Sequence, residues 1–203
     1  MIDLTRIKNR RAKIIDQEKY RKSAVLVPLV NYQDEECLLF EVRSQKLNIQ
    51  PGEICFPGGG VEPRDKNEEE TAVRETCEEL GLSTSDIEVI GPLDILITPF
   101  QFMITPFIAR LDDYKKITLN KSEVESVFYV PVDFFLNNPP ETYLTKVTIS
   151  PRPDFPAHLL PNGKTYNWRA GSYPVHFYQY QGHTIWGITA RIIENFIEII
   201  KQT

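Results

Sequence analysis

Apolar residues in this chain recur in two rhythms, one suited to strands and one to helices. Residues 24–30 (AVLVPLV) form a short unbroken apolar run of the kind that fills the centre of a sheet. Residues 31–36 make a polar turn, and 37–42 (CLLFEV) read as the next strand. Pro51 and Gly52 mark a turn before a short strand at 54–56. Residues 87–98 and 102–110 read as two strands around a tight turn at Pro99, Phe100 and Gln101, and Pro92 and Pro106 predict edges or bulges. A further segment covers 122–132, and 173–181 alternate well enough for a strand in which His176 is structural. Helical spacing predicts a helix over 71–80, stopped by Gly81, and a final helix over 185–201. The apolar stripe of the latter is Ile188, Ile192, Ile193, Phe196, Ile199 and Ile200. Residues 1–20 predict an amphipathic helix, with Leu4, Ile7, Ile14 and Ile15 on one side and Lys/Arg on the other. Such a helix suits a membrane surface or a partner helix; the plainer expectation is that it packs on its own domain. Residues 137–172, polar and proline-rich, predict a hairpin or long loop over a pocket, with Phe155 and Trp168 able to touch a ligand or simply to pack.

These elements alternate unevenly, as in a mixed sheet with helices on both sides, so the fold class is α/β (α+β). The division expected is an N-terminal helix over 1–21 packed on one domain over 22–203.

Composition narrows the function. With 203 residues and 41% hydrophobic content the chain has enough material for a core. Its net charge of −5 and lack of a long basic run argue against nucleic acid as partner. No apolar run reaches membrane length, no secretory signal is expected, and the last three residues are not S-K-L. Cys37, Cys55 and Cys77 are scattered and odd in number, which fits buried thiols in a reducing cytoplasm. The expected partner is a small-molecule substrate, with no nucleic acid and no membrane, and a homodimer is left open.

The chemistry is concentrated in residues 56–82 (FPGGGVEPRDKNEEETAVRETCEELGL). Gly58, Gly59 and Gly60 permit backbone shapes other residues resist, and a glycine carbonyl is also a metal ligand. On the following helix Glu75, Glu78 and Glu79 share a face at i, i+3, i+4, with Val73, Cys77 and Leu80 opposite. Three like charges so placed repel, and a hard cation held by carboxylates and substrate phosphates offsets that repulsion. Arg74 beside them is placed to orient an acid or meet a phosphate oxygen. The bland alternative is a solvated acidic face.

Here the sequence resembles the Nudix hydrolases. Their box runs G, five residues, E, seven residues, R-E-U-x-E-E-x-G-U, with U bulky and aliphatic. Residues 74–82 (RETCEELGL) match its second half, with Thr76 at the first U. In the first half the expected Glu falls on Lys66. With a loop one residue longer, Gly59, five residues, Asp65, eight residues, Arg74 fits, and that spacing is similar to the coenzyme A diphosphatase branch. The branch signature L-L-x-x-R-S, three residues, R, three residues, G, three residues, F-P-G-G resembles residues 38–59, through Leu38, Leu39, Arg43, Ser44, Gly52 and Phe56 to Gly59; its second Arg is Asn48 here.

The resemblance, covering roughly residues 22–200, implies a Nudix-type α/β/α sandwich with a mixed central sheet. It implies Mg²⁺ or Mn²⁺ held by Glu75, Glu78, Glu79 and Gly59, and catalysis by Glu75, Arg74 and Glu78. It also implies substrate contacts from Arg43, Ser44 and Phe56. An additional base comes from the 122–132 segment, with Glu123 and Glu125 the candidates. The implied reaction is hydrolysis of the diphosphate of coenzyme A or acyl-CoA to 3′,5′-ADP and (acyl-)4′-phosphopantetheine. Two alternatives stand beside it: a pyrophosphatase acting on ADP-ribose or another nucleoside diphosphate derivative, which Asn48 allows, and a Nudix-fold module that binds a nucleotide without cleaving it.

Overall fold

A computed structural model describes Thr5, Lys8 and residues 10–202. The main sheet is built on β1 (Arg21–Tyr32), which turns through Gln33 and Asp34, both at positive φ, into β2 (Glu35–Arg43). β1 and β2 pair only from Leu29 and Leu38 to the turn. Below that fork the same edge of β1 is taken by β4 (Gly58–Gly60), antiparallel over Ser23–Val25. β2 continues away from the fork, pairing with β3 (Ile54–Cys55) on one side and β8 (Val124–Pro131) on the other. The other edge of β1 runs parallel to β7 (Phe102–Leu111), which is in turn antiparallel to β5 (Ile87–Pro92) and β6 (Leu96–Ile97).

Side-chain alternation along β1 and β2 separates two cores. One face carries Ala24, Leu26, Cys37 and Leu39 against α1 (Glu68–Leu80). The other carries Val27, Leu29, Leu38 and Phe40 against α2 (Val132–Asn137) and α3 (Gly187–Lys201). A second sheet, β11–β10–β9, is formed by β9 (Glu141–Val147), β10 (Gly171–Tyr180) and β11 (His183–Trp186), and supplies Tyr178 and Ile185 to that second core. Helices therefore cover both faces of a mixed sheet, as the α/β (α+β) reading expects. His176 is structural: its ring nitrogens meet Thr142 Oγ1 at 2.7 Å and Glu194 Oε2 at 2.9 Å, tying β9, β10 and α3 together.

α1 begins where Asn67 Oδ1 accepts the Glu70 amide at 2.8 Å, and ends at Gly81 in the left-handed conformation. A Cβ on Gly81 would also collide with the Thr118 carbonyl. Asn67→Ala is expected to lower stability by about 1 kcal/mol, read as a lower denaturant midpoint with an unchanged slope.

Several expectations need correction. Residues 10–20 hold no α-helix, only a 3₁₀ turn at Gln17–Lys19, and Ile15 is 86% exposed. Leu4 and Ile7 lie outside the described residues. Residues 87–98 form two strands rather than one, separated at 93–95. Pro106 is not at an edge: β6 pairs with β7 up to Ile104 and β5 from Phe107, so the proline occupies the gap between them, where its missing N–H costs no ladder bond on that side. Ile185 lies inside β11 and the last helix opens at Gly187, and Ile188, Ile199 and Ile200 are partly exposed while Ile197 is buried. Residues 137–172 are both hairpin and loop, since β9 pairs with β10 across the long connection.

Candidate active site

The glycine run lies against the N-terminal half of β1. At Gly58 (φ 151°) a Cβ would strike the Ala24 carbonyl and Val25, so only glycine fits. The Gly58 amide donates to Glu79 Oε2 at 2.9 Å. One residue on, the Gly59 backbone presses so closely on the Glu75 carboxylate that any side chain would displace it. The glycines thus hold two acids of α1 at the edge of the sheet.

Arg74 organises those acids. Its Nε and Nη2 donate to Asp65 Oδ1 and Oδ2 at 2.9 and 3.0 Å, a bidentate fork. Its Nη1 donates to Glu75 Oε1 at 2.9 Å and to Glu78 Oε2 at 3.3 Å. Asp65 is anchored by the Glu62 amide and the Thr71 hydroxyl, and Arg74 holds its carboxyl well below the usual carboxylate range. Asp65 therefore fills the place that the shorter box spacing would give to Lys66, which forms an exposed pair with Glu70.

The acids differ in environment. Glu78 is exposed, and Arg64 Nη2 approaches its Oε1 at 3.5 Å. Burial pushes Glu75 up, opposed by Arg74. Glu79 is buried at the helix–sheet boundary with Ala72, Thr76 and Leu80, while Val73 and Cys77 are only half-buried. This corrects the expected division of the helix into an acidic face and an apolar face. Burial, together with Glu75 and Glu123, raises Glu79 to about 8 against the pull of the Gly58 amide. A carboxyl so raised favours the protonated folded state. The metal-free protein is then expected to lose stability as pH rises from the unfolded value near ~4.3 through about 8. Chemical denaturation across that range checks the sign.

Of the other expected residues, Arg43 reaches the cluster from the end of β2, with Nη2 donating to the Ile49 carbonyl at 3.4 Å and Nε buried without a partner. Glu123 is exposed just before β8, yet its charge acts on Glu75 and Glu79. Glu125 is exposed in β8, its carbonyl accepting from Lys121. Ser44 is fully buried, with its Oγ accepting the Lys46 amide, and Phe56 is in the core, stacked on Phe40 at 4.9 Å. Both shape the Arg43 loop and the glycine turn from inside and present no surface to a substrate. Phe155 and Trp168 pack edge-to-face on one another within their own loop, not over the acids.

One residue escaped the sequence reading. Glu41 in β2 is 1% exposed, and its Oε1 has no hydrogen-bond partner. Burial and then Glu79 push its carboxyl well above the usual range. The available signal was a lone acid in an apolar strand, in the alternation Cys37, Leu39, Glu41, Arg43 that faces α1. Cys55, opposite Glu41 in β3, is pushed up to about 12, first by burial and then by Glu41.

Among the described residues no three acids, histidines or cysteines form a ready-made metal cage, because Arg74 holds Glu75 and Glu78 and the Gly58 amide holds Glu79. The donor set nevertheless fits a hard cation: all oxygen, acidic, and with the buried Glu41 Oε1 lacking a hydrogen-bond partner.

A sequence profile of the NUDIX domain matches residues 19–150. The chain belongs to the Nudix hydrolase family. Among curated relatives of this Nudix chain, mouse peroxisomal coenzyme A diphosphatase NUDT7 is 39% identical over 139 residues, covering 68% of this chain and 58% of that protein. Human mitochondrial coenzyme A diphosphatase NUDT8 is 31% identical over 186 residues, covering 88% of this chain and 69% of its own length. A MutT/nudix family protein from Enterococcus faecalis, known from a crystal structure, aligns with TM-score 0.48 and 16% identity over 98% of this chain and 68% of its own. Among the described residues no helix is long and apolar enough to cross a membrane.

Proposed function

We propose that this Nudix chain hydrolyses the diphosphate bond of coenzyme A or acyl-CoA, using Mg²⁺ or Mn²⁺, to 3′,5′-ADP and (acyl-)4′-phosphopantetheine. The observation that carries the reading is the Asp65–Arg74 fork, whose arginine also holds Glu75, packed against Gly59, and Glu78, and so makes sense of the longer box spacing. The names of the mouse and human relatives support the substrate class.

Glu75, Glu78 and Glu79, with the Gly59 carbonyl, would hold the cation. When bound, such a metal neutralises diphosphate oxygens and lowers the pKa of its water to create a nucleophile. The chain's own residues do the rest. Arg74 fixes the orientation of Glu75 and Glu78. Glu75, raised by burial and in contact with Arg74, is suited to accept a proton at Oε2, the oxygen for which no Arg74 bond is seen. Glu123 is the second candidate: its charge acts on Glu75 and Glu79, and its Oε1 accepts from Asn120 Nδ2 at 3.3 Å. Arg43 offers a cation to a phosphate oxygen. Three free cysteines fit a reducing compartment, and we assign the chain to the cytoplasm, which fractionation tests.

One observation favours a second substrate: Asn48 is exposed where the coenzyme A branch carries an Arg. A panel of coenzyme A, acetyl-CoA, ADP-ribose, NADH and diadenosine polyphosphates separates the two. Higher kcat/KM on coenzyme A compounds supports the proposal, and preference for ADP-ribose replaces its substrate while keeping its site.

A further inference from the structure

We infer that Glu41 is a cation ligand of this site, paired with Glu79 across the fork between β1 and β2, and that the site therefore extends from the helix onto the sheet. The inference rests on the metal-dependent reading above and adds a residue outside the family box.

Topology brings the two acids together. β2 leaves β1 at Leu38, below which β1 pairs with the Gly58 turn instead, and Glu41 further along β2 shares by alternation the α1-facing side of the sheet with Cys37 and Leu39. Glu79 comes to that side from α1 and is fixed by the Gly58 amide. Burial first and then the Glu79 charge push the Glu41 carboxyl up, with Arg43 opposing them. The Glu41 side chain is buried to 1% exposure, yet Oε1 accepts no hydrogen bond. A buried acid retained without a partner loses the hydration it had in the unfolded chain and gains nothing in return. An apolar residue would suit the position better if packing were its only duty, since its neighbours on that face, Cys37 and Leu39, are apolar core. Arg43 does not resolve the deficit: its own Nε is buried and unpartnered, and no bond joins it to Glu41. A divalent cation between the two carboxylates satisfies both, and oxygen donors of this kind are what such ions take.

The test is Mn²⁺ binding to substrate-free protein, followed by electron paramagnetic resonance of the free ion, for wild type, Glu41→Gln and Glu79→Gln. Gln keeps the shape and removes the charge. Affinity in Glu41→Gln is expected to fall about 10–100-fold, the range seen when groups supporting a metal site are lost, with the circular dichroism spectrum unchanged. Affinity of Glu41→Gln within about threefold of wild type, with Glu79→Gln weakened, overturns this inference and leaves the proposed function standing. Unchanged affinity in both variants removes Glu41 and Glu79 alike from the metal site, which overturns this inference and takes Glu79 out of the proposed ligand set. A wild-type crystal soaked in Mn²⁺ decides the matter without any variant: an anomalous peak in contact with the Glu41 carboxylate supports the inference, and peaks confined to Glu75 and Glu78 overturn it.

Discussion

Glu78→Gln is expected to lower kcat by at least ~100-fold at saturating Mg²⁺, the low end of what a single positioned catalytic group contributes. The fold is expected to survive. Glu78 is half-exposed, and its two contacts are arginine bonds of 3.3 and 3.5 Å, each at the long end for a charged pair. Exposed pairs of this kind contribute about 0–1 kcal/mol, so a thermal melt should move little. Loss of turnover without loss of stability would then report on the chemistry alone. The same substitution at Glu79 is less informative, because that carboxylate also takes the Gly58 amide and holds the glycine turn. Near-normal kcat in Glu78→Gln, measured with Mg²⁺ varied to saturation, would remove Glu78 from the ligand set.

Arg74→Lys is expected to lower both activity and stability, and the loss of stability should depend on pH. Arg74 makes four bonds to three carboxylates, two of them through the planar fork to Asp65. A lysine offers one point charge and cannot span Asp65, Glu75 and Glu78 together. Freed from Arg74, Glu75 and Glu78 would repel one another, and kcat/KM should fall at least ~100-fold, a cost typical of misplaced reacting groups. Asp65 carries the pH dependence. Its carboxyl is held below the usual range by Arg74, the Glu62 amide and the Thr71 hydroxyl. A depressed folded-state pKa contributes stability that is present above the unfolded value of ~3.9 and disappears as the medium becomes more acid. The wild type should therefore exceed Arg74→Lys in stability at neutral pH, and the gap should narrow below about pH 4. Urea midpoints between pH 3 and 7 would show it; a gap that stayed constant would mean that Asp65 does not depend on Arg74.

Much of this arrangement is legible in the chain itself. The helix, its stop at Gly81 and the triplet Glu75, Glu78, Glu79 follow from spacing, and the longer loop put Asp65 at the box position of the first Glu, although its pairing with Arg74 came only from the structure. Local rules succeeded there because each bond spans fewer than ten residues or lies within one helix. They failed where the partner is distant. The parallel alignment of β1 with β7 joins residues about eighty apart, and no alternation encodes it. Glu41 looked like one polar residue in a strand because the fork that buries it depends on β2, β3 and β4 together. Residues 1–20 carry apparent helical spacing, yet most of residues 10–20 are exposed, and spacing alone does not stabilise a helix in water. The buried placement of Glu79 was missed for the opposite reason: a carboxylate at the apolar boundary of a helix contradicts the ordinary pattern, and such contradictions belong to functional sites.

The most direct measurement is chromatography of the products of coenzyme A incubated with the purified chain, with Mg²⁺ and with EDTA in its place. The account predicts 3′,5′-ADP and 4′-phosphopantetheine in equal amounts with Mg²⁺ and intact coenzyme A with EDTA. Intact coenzyme A under both conditions, with nucleotide binding retained, would contradict it and favour a module that binds without cleaving.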